Sequence, residues 1–263
     1  VRIEGTSVLV TGAGGGIGTA IVTSFAAAGA SVILSGRRPG PLETLARDVG
    51  GRVVIADLAR SDAVDDLAAA SGPLDVLIAN AALPASGPLL DYDPEQIDRA
   101  LAVNLRAPIQ LTRALLPGML ERGRGHIVLV SSLAGVAASV HASLYNATKF
   151  GLRGFALGLR QDLRGTGVGV SVVLPGFIRD AGMFADTGAS LPSGVGTRTP
   201  AQVADAVLRA VRADRAQVTV APPGLALGAL VGGAAPGMAA WVQRRLGGAA
   251  LAEQIAAAQR HRR

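Results

Sequence analysis

Tyr145 and Lys149 stand four residues apart in the run Leu144-Tyr145-Asn146-Ala147-Thr148-Lys149-Phe150. On a helix that spacing stacks the two side chains on one face. Tyr145 is one of two tyrosines, and Lys149 is the only lysine in 263 residues, so nearly every other basic side chain is arginine. The chemistry in question is that of an ionisable phenol held beside a positive charge, and a compact ammonium can act on a phenol in ways a planar guanidinium cannot. Tyr and Lys are also ordinary helix residues. Whether the pair is an active site depends on what surrounds it.

A second stretch has its own chemistry. The run Thr11-Gly12-Ala13-Gly14-Gly15-Gly16-Ile17-Gly18 follows a short apolar segment and precedes a helical one. Free N–H groups and the positive end of a helix there suit an anion such as a pyrophosphate, and glycines at 12, 16 and 18 let the backbone approach ligand and sheet closely. With 35 glycines in the chain a lone match is weak, but here the strand-to-helix context that the motif needs is present. Some twenty residues on, Gly36-Arg37-Arg38 ends a second apolar run with no acid nearby. A carboxylate there would favour a ribose 2′-OH, whereas an arginine fork suits a 2′-phosphate. One of the two arginines is expected to be a solvated surface residue, and NADP(H) is expected over NAD(H).

The elements that must position these residues alternate regularly. Strands are expected at Ser7–Val10, Val32–Leu34, Val53–Ala56, Val76–Ile78, His126–Val130, Val170–Leu174 and Gln217–Val220. Between them helices are expected at Ile21–Ala28, Pro39–Val49, Ser61–Ala70, Pro94 through Asn104 to about Leu111, Tyr145–Leu163, and Pro200 to about Val211. Asp93-Pro94-Glu95-Gln96 and Thr199-Pro200-Ala201-Gln202 each combine a capping side chain, Pro at the first helical position and Gln three residues after the cap. Apolar runs of this kind, separated by helices, predict right-handed βαβ units: an α/β, single-domain Rossmann fold whose doubly wound, seven-stranded parallel sheet carries helices on both faces.

Composition excludes several functions. Cysteine is absent, which removes disulfides and thiolate metal sites, and His126, His141 and His261 have no ligand spacing, so no metal site is expected. A net charge of +6 attracts anions, but aromatics are 3% and no basic-aromatic strip occurs, so no nucleic-acid partner is expected. Val1-Arg2-Ile3-Glu4 lacks the charged and apolar regions of a signal peptide, giving the expectation of a cytoplasmic protein.

Taken together, these residues resemble the short-chain dehydrogenase/reductase family from Thr11 to Pro175-Gly176. The resemblance rests on Thr11-Gly12-x-x-x-Gly16-x-Gly18, Asp57 after the third strand, Asn80-Ala81-Ala82 after the fourth, Asn104 in the following helix, Ser132 at the end of the fifth strand, and Tyr145-x-x-x-Lys149 thirteen residues beyond Ser132. It implies a catalytic set of Asn104, Ser132, Tyr145 and Lys149. It further implies a cofactor surface of Thr11, Gly12, Gly14, Gly15, Gly16, Ile17, Gly18, Arg37, Arg38, Asp57, Leu58, Asn80, Ala81, Ala82, Tyr145, Lys149, Pro175, Gly176, Ile178 and Asp180. In that scheme Tyr145 is the general acid/base, Lys149 favours its phenolate and reaches the nicotinamide ribose, Ser132 orients the substrate oxygen, and Asn104 holds a water that links Lys149 to solvent. Asn104 could equally be a helix-interior kink satisfied by backbone, and Asp57 a strand-end cap.

Three departures from the family pattern stand out. Ala79-Asn80-Ala81-Ala82 replaces Asn-Asn-Ala-Gly, and Asp180 stands where a threonine usually holds the nicotinamide carboxamide, which puts that contact in doubt. The third is that the chain runs on past Val220 to Arg263 instead of closing with the short Asp-Gly-Gly tail of the bacterial oxoacyl-carrier-protein reductases.

The substrate side is less determined. The segment 177–198 is the expected lid, either mobile or merely a long loop, and its Phe177, Met183, Phe184 and Leu191 favour a hydrophobic ketone, aldehyde or secondary alcohol. The domain is expected to comprise 1–221, with 222–263 as a helical extension. That extension has no charged residue from Ala216 to Gln243, but Pro222-Pro223 and Pro236 interrupt it, so a membrane span is disfavoured. Short helices there could cover the substrate mouth, meet a second subunit in a homodimer or homotetramer, or rest on a lipid surface, the last being the less favoured. A non-catalytic NADP-binding sensor or scaffold is the competing functional class.

Overall fold

Seven short strands with apolar side chains on both faces can be buried only between two layers of helices, and the chain builds that sandwich. The computed structural model describes residues 2–191, 195–245 and 248–262. In chain order the strands are β1 (Ser7–Thr11), β2 (Ser31–Gly36), β3 (Arg52–Ile55), β4 (Val76–Ala79), β5 (Gly125–Val130), β6 (Val168–Pro175) and β7 (Gln217–Val220). They form one sheet in the order β3-β2-β1-β4-β5-β6-β7, and every pairing is parallel.

The helices of this unit are α1 (Gly16–Ala27), α2 (Pro39–Val49), α3 (Ser61–Ser71), α4 (Pro94–Leu101), α5 (Ala107–Glu121), α6 (Ser143–Asp162) and α7 (Pro200–Arg212). Val8, Val10, Ile78 and Val128 share one core with Ile21 and Phe25 of α1 and Val203 and Val207 of α7. Their neighbours Leu9, Leu77, Ile127 and Leu129 point the other way, into a core with Leu67 of α3, Leu111 of α5 and Leu152 of α6. This period-two split of continuous apolar runs is why the strands do not alternate with polar residues. Chain direction across the sheet reverses between β1 and β4, which opens a crevice at their carboxyl ends, the place where ligands of open parallel sheets bind.

Both capping boxes form as the sequence indicates: the Asp93 carboxylate accepts from Gln96 N at 2.7 Å, and the Thr199 hydroxyl from Gln202 N at 3.2 Å. Two helices differ from expectation. Helix α1 starts at Gly16, so the glycine turn supplies its first residues. The helix expected to end near Leu111 is interrupted by a π-turn over Ala102–Arg106 and then runs to Glu121. Pro117 does not stop it, because Leu115 and Met119 on either side are buried against the sheet.

After β7 the chain forms α8 (Pro223–Ala234), α9 (Pro236–Arg245) and α10 (Gly248–Gln259). Pro223 and Pro236 begin their helices, where the missing N–H costs nothing. Only Ala229 and Gly232 of α8 are buried, while Leu227, Leu230, Met238 and Trp241 lie exposed. Two side-chain contacts tie α10 to the main body: Glu253 lies 4.0 Å from His141, and Arg260, just past its end, lies 3.4 Å from Asp91. Among the described residues no helix is long and apolar enough to cross a membrane.

Candidate active site

A cleft of about 1570 Å³ runs along the carboxyl edge of the sheet, and it is lined at one end by the glycine turn and at the other by the C-terminal helices. That volume exceeds the roughly 300–1,000 Å³ of a pocket for one small molecule, leaving room for a dinucleotide and a second ligand.

At the first end the backbone is the building material. Gly12 has φ +65°, and a Cβ there would lie 2.8 Å from Ala81 Cα, so only glycine fits the turn. Gly18 rests on the Gly12 carbonyl, which sets how closely α1 meets β1, and Gly16 is covered by Ala181 of the segment after β6. Thr11 is buried, and its hydroxyl accepts from Asn80 N and Ala81 N at 3.1 Å each. The Asn80 amide donates back to the carbonyls of Thr11 and Gly12 at 3.1 and 3.3 Å, so the ends of β1 and β4 are clamped across the crevice. Arg37 and Arg38 both line the cleft and are exposed, and neither has an ion-pair partner among the described residues. Asp57 lines it also while accepting from Ala59 N at 3.2 Å, so it caps its turn and faces the cleft at once. Leu58, Ala82, Pro175, Gly176 and Ile178 complete this stretch of lining. The chemistry of a free N–H turn, a helix start and two uncommitted guanidinium groups fits a dinucleotide with an additional phosphate.

In the middle of the cleft, Ser132, Tyr145 and Lys149 come together. Ser132 sits just past β5 in extended backbone, its hydroxyl accepting from Ala134 N at 3.1 Å and donating to the Pro175 carbonyl at 3.4 Å, beside the Tyr145 phenol. Tyr145 and Lys149 lie one turn apart in α6, with the ammonium 5.6 Å from the phenol ring centroid and donating to the Val130 carbonyl at 3.2 Å. Lys149 is 2% exposed. Burial pushes its ammonium down to about 8, and burial pushes the Tyr145 phenol up to about 12, with the Ser132 hydrogen bond opposing. This direction is the reverse of the lowering expected from a neighbouring ammonium: at this site desolvation outweighs attraction, and the cleft favours a neutral phenol.

The supporting contacts are residues that the sequence did not single out. Ser131 donates to the Lys149 carbonyl at 2.9 Å, and Gly135 approaches that same carbonyl so closely that a Cβ would lie 2.6 Å from it. Asn146 donates to the carbonyls of Ala134 and Ala137, at 2.7 and 3.3 Å, holding the loop after Ser132 against the start of α6. An amide directly after the tyrosine was the available signal. Tyr92, the other tyrosine, packs with Ala85, Ala100 and Leu144.

Three residues expected at the site do not line the cleft. Thr11 acts from beneath, through Asn80. Asn104 is buried in the π-turn, and both ends of its amide are committed to Leu83, accepting from its N–H at 2.6 Å and donating to its carbonyl at 2.9 Å. Asp180 has φ +72° and an exposed carboxylate 3.5 Å from Arg179.

With this geometry in place, a family model for short chain dehydrogenases matches residues 6–191. The chain belongs to the short-chain dehydrogenase/reductase family. It is 37% identical over 227 residues to the ketoacyl reductase HetN of Nostoc sp., covering 83% of this chain and 79% of the relative. A metagenomic short-chain oxidoreductase solved in complex with NADP shares 36% identity and a TM-score of 0.70, covering 84% of this chain and 99% of that one. The closed form of a serine dehydrogenase with NADP⁺ gives 30% identity and a TM-score of 0.73 over 82% and 94%. This short-chain dehydrogenase/reductase is therefore an oxidoreductase with a nicotinamide-binding fold.

The rest of the cleft is lined by the segment after β6 and by the C-terminal helices. The expected lid enters through Phe177, Met183 and Phe184, whose two aromatic rings meet at 4.8 Å between centroids with their planes tilted by 54°. Its ends are fastened, Arg198 N donating to the Phe177 carbonyl at 3.0 Å and Arg179 N to the Arg198 carbonyl at 2.9 Å. Residues 192–194 of that expected segment lie outside the described residues. Leu225, Val231 and Met238 of α8 and α9, and Leu251 and Ile255 of α10, form the far wall. The structure thus lays the C-terminal helices over the cleft.

Proposed function

We propose that this protein transfers hydride between NADP(H) and an apolar ketone or aldehyde, working as a carbonyl reductase. The observation that carries the reading is the convergence of Ser132, Tyr145 and Lys149 midway along a single cleft, between the two free arginines and an apolar wall. When bound, the nicotinamide supplies the hydride; the protein supplies position and protons.

Each residue then has a physical role. Ser132, with its own hydroxyl anchored on Ala134 N, donates to the carbonyl oxygen and fixes its direction. Tyr145 donates the proton that the oxygen needs as negative charge develops on it. A phenol held near 12 is in its donor form throughout the neutral range, which suits the reducing direction. Lys149 stabilises the phenolate left behind, at a distance at which its charge acts across a water-poor space. Because the Asn104 amide is occupied by Leu83, a water that links Lys149 to solvent at this residue is left to the Asn104 main chain to hold. One of Arg37 and Arg38 binds the 2′-phosphate. The competing class, a fold that binds NADP without catalysis, is disfavoured by the joint presence of Ser132, Tyr145 and Lys149 in the cleft.

The test is a panel of apolar ketones and aldehydes offered with NADPH and with NADH, followed by nicotinamide absorbance. Turnover with NADPH at a kcat/KM at least about tenfold above NADH is expected, from charge-assisted hydrogen bonds to one extra phosphate. A preference for NADH would overturn the role given to the arginines. Failure of every carbonyl, with the matching alcohols turned over by NADP⁺, would overturn the direction.

A further inference from the structure

Helix α8 has no polar side chain on any side. Its buried residues are Ala229 and Gly232, and on the opposite side Leu227, Leu230 and Val231, spaced i, i+3 and i+4, are exposed. A helix that is apolar all round belongs in a core, yet Leu227 and Leu230 are 62% and 64% exposed. Helix α9 continues the stripe. Met238 and Trp241, three residues apart, are exposed, and Arg245 one turn further on holds its guanidinium 5.3 Å from the centre of the indole ring.

Backbone contact fixes this pair of helices to the rest of the chain. A Cβ on Gly232 would lie 3.2 Å from Ala137 and from Ala239 of α9, and one on Gly233 would lie 2.6 Å from the Val136 carbonyl. Helix α8 therefore rests directly on the loop that follows Ser132, and α9 rests on α8. Leu227, Val231 and Met238 also line the cleft, so the exposed stripe runs into the rim of its mouth. The inner side of these helices covers the mouth, as the sequence favours, and that leaves the outer side bare.

Charge limits what can cover the outer side. Between Arg215 and Glu253 the chain has no acid, and its only charged residues are Arg244 and Arg245. Leucines and a tryptophan on one stripe, with arginine beside the indole, suit a helix lying in a lipid interface, where the indole sits at headgroup level and the guanidinium meets phosphate. A second copy paired about a two-fold axis would instead set this acid-free, arginine-bearing face against itself.

We infer that the outer face of α8 and α9 docks on an anionic lipid bilayer, with Leu227, Leu230, Met238 and Trp241 in the interface, Arg245 on the headgroup phosphates and the mouth of the cleft turned toward the lipid. The helices lie on the surface and do not span it. The docking stands apart from the hydride-transfer reading and does not depend on it.

Trp241 is the only tryptophan, so its emission reports on this face alone. The full chain, mixed with vesicles of equal parts phosphatidylglycerol and phosphatidylcholine, is expected to sediment with them and to shift its Trp241 emission to the blue. Binding to pure phosphatidylcholine vesicles is expected to be weaker by about tenfold or more. Leu230→Gln and Trp241→Gln change residues that do not line the cleft, and each is expected to lower partitioning by about tenfold. Circular dichroism shows that each variant is folded. Absence of sedimentation and of a blue shift overturns the inference, as does unchanged partitioning in both folded variants, which would reduce the binding to general attraction by a basic protein. Equal binding to both kinds of vesicle overturns the anionic headgroup. Emission that is already blue and shielded from acrylamide before vesicles are added assigns the face to a second copy and overturns the lipid. The carbonyl assay, run without vesicles, decides the oxidoreductase reading separately.

Discussion

The two ends of the cleft are made of different material. The nucleotide end is largely backbone: glycines at 12, 16 and 18 leave no space for a Cβ, Thr11 and Asn80 clamp two strand ends, and the charged side chains lining it are the paired arginines and Asp57. The far end is side chain: leucines, a valine, a methionine and an isoleucine on three helices that follow the last strand, with a single amide among them. Backbone can be shaped once and reused for any dinucleotide, since its form depends on where a Cβ would collide. A wall of side chains is shaped by packing, and each change of residue alters what it admits. One end fixes the reagent, the other chooses the substrate, and the Ser132–Tyr145 pair stands where they meet.

The sharpest way to break this division is Tyr145→Phe. If the centre carries the chemistry and the two ends only bind, removal of the phenol oxygen should lower kcat by about 10²–10⁴, the range of a general acid. NADPH affinity, measured by fluorescence, should be nearly unchanged. Retained turnover in this variant would remove Tyr145 from the role of general acid, whereas no turnover in the wild type would return the protein to the class of nucleotide-binding sensors.

The same division explains what could be read in the sequence. Seven strands, their parallel order and the two capping boxes follow from local patterns, and so does the glycine turn, because Gly12 and Gly18 are demanded by conformation and contact within a few residues. Tyr145 and Lys149 were visible as a rare pair at helical spacing. What was not visible depends on distant packing. The π-turn at Asn104 arises from a match to Leu83, a residue 21 positions away. The upward shift of Tyr145 comes from how deeply α6 is buried, which no spacing encodes. Asp180 takes φ +72° with its carboxylate 3.5 Å from Arg179, which its residue type does not announce.

A smaller effect sharpens the nucleotide end. Arg37→Ala and Arg38→Ala are each expected to raise KM for NADPH by about 10- to 100-fold where the residue holds the phosphate, and hardly at all where it is a solvated neighbour. KM for NADH should stay the same in both variants. The double variant separates the one binding arginine from the other: additivity beyond the stronger single variant means that both take part. Substrate preference among ketones should not move, because the far wall is untouched. A shift in ketone preference would show that the two ends are coupled.

The smallest effect concerns the centre, and the composition makes it readable. Lys149 is the only lysine, cysteine is absent and there are two tyrosines, so few groups titrate between pH 8 and 10. In the folded chain burial holds Lys149 at about 8, below the ordinary 10.5, so over that window the unfolded chain carries a proton that the native one has released. The unfolded state binding more protons means that stability rises with pH, by up to about 1.4 kcal/mol per unit. Above pH 10 the sign reverses for Tyr145: its folded value of about 12 keeps the proton that the unfolded phenol loses, and this contribution falls as pH rises. Denaturant melts of the wild type should therefore show stability climbing from pH 8 to 10 and falling beyond, whereas Lys149→Met should be flat over the first interval. Leu251→Ala should keep the climb, because Lys149 is buried by β5 and α6 rather than by the tail. A climb that vanishes in Leu251→Ala would mean that the far wall also dries the centre, and the two ends would no longer be independent parts.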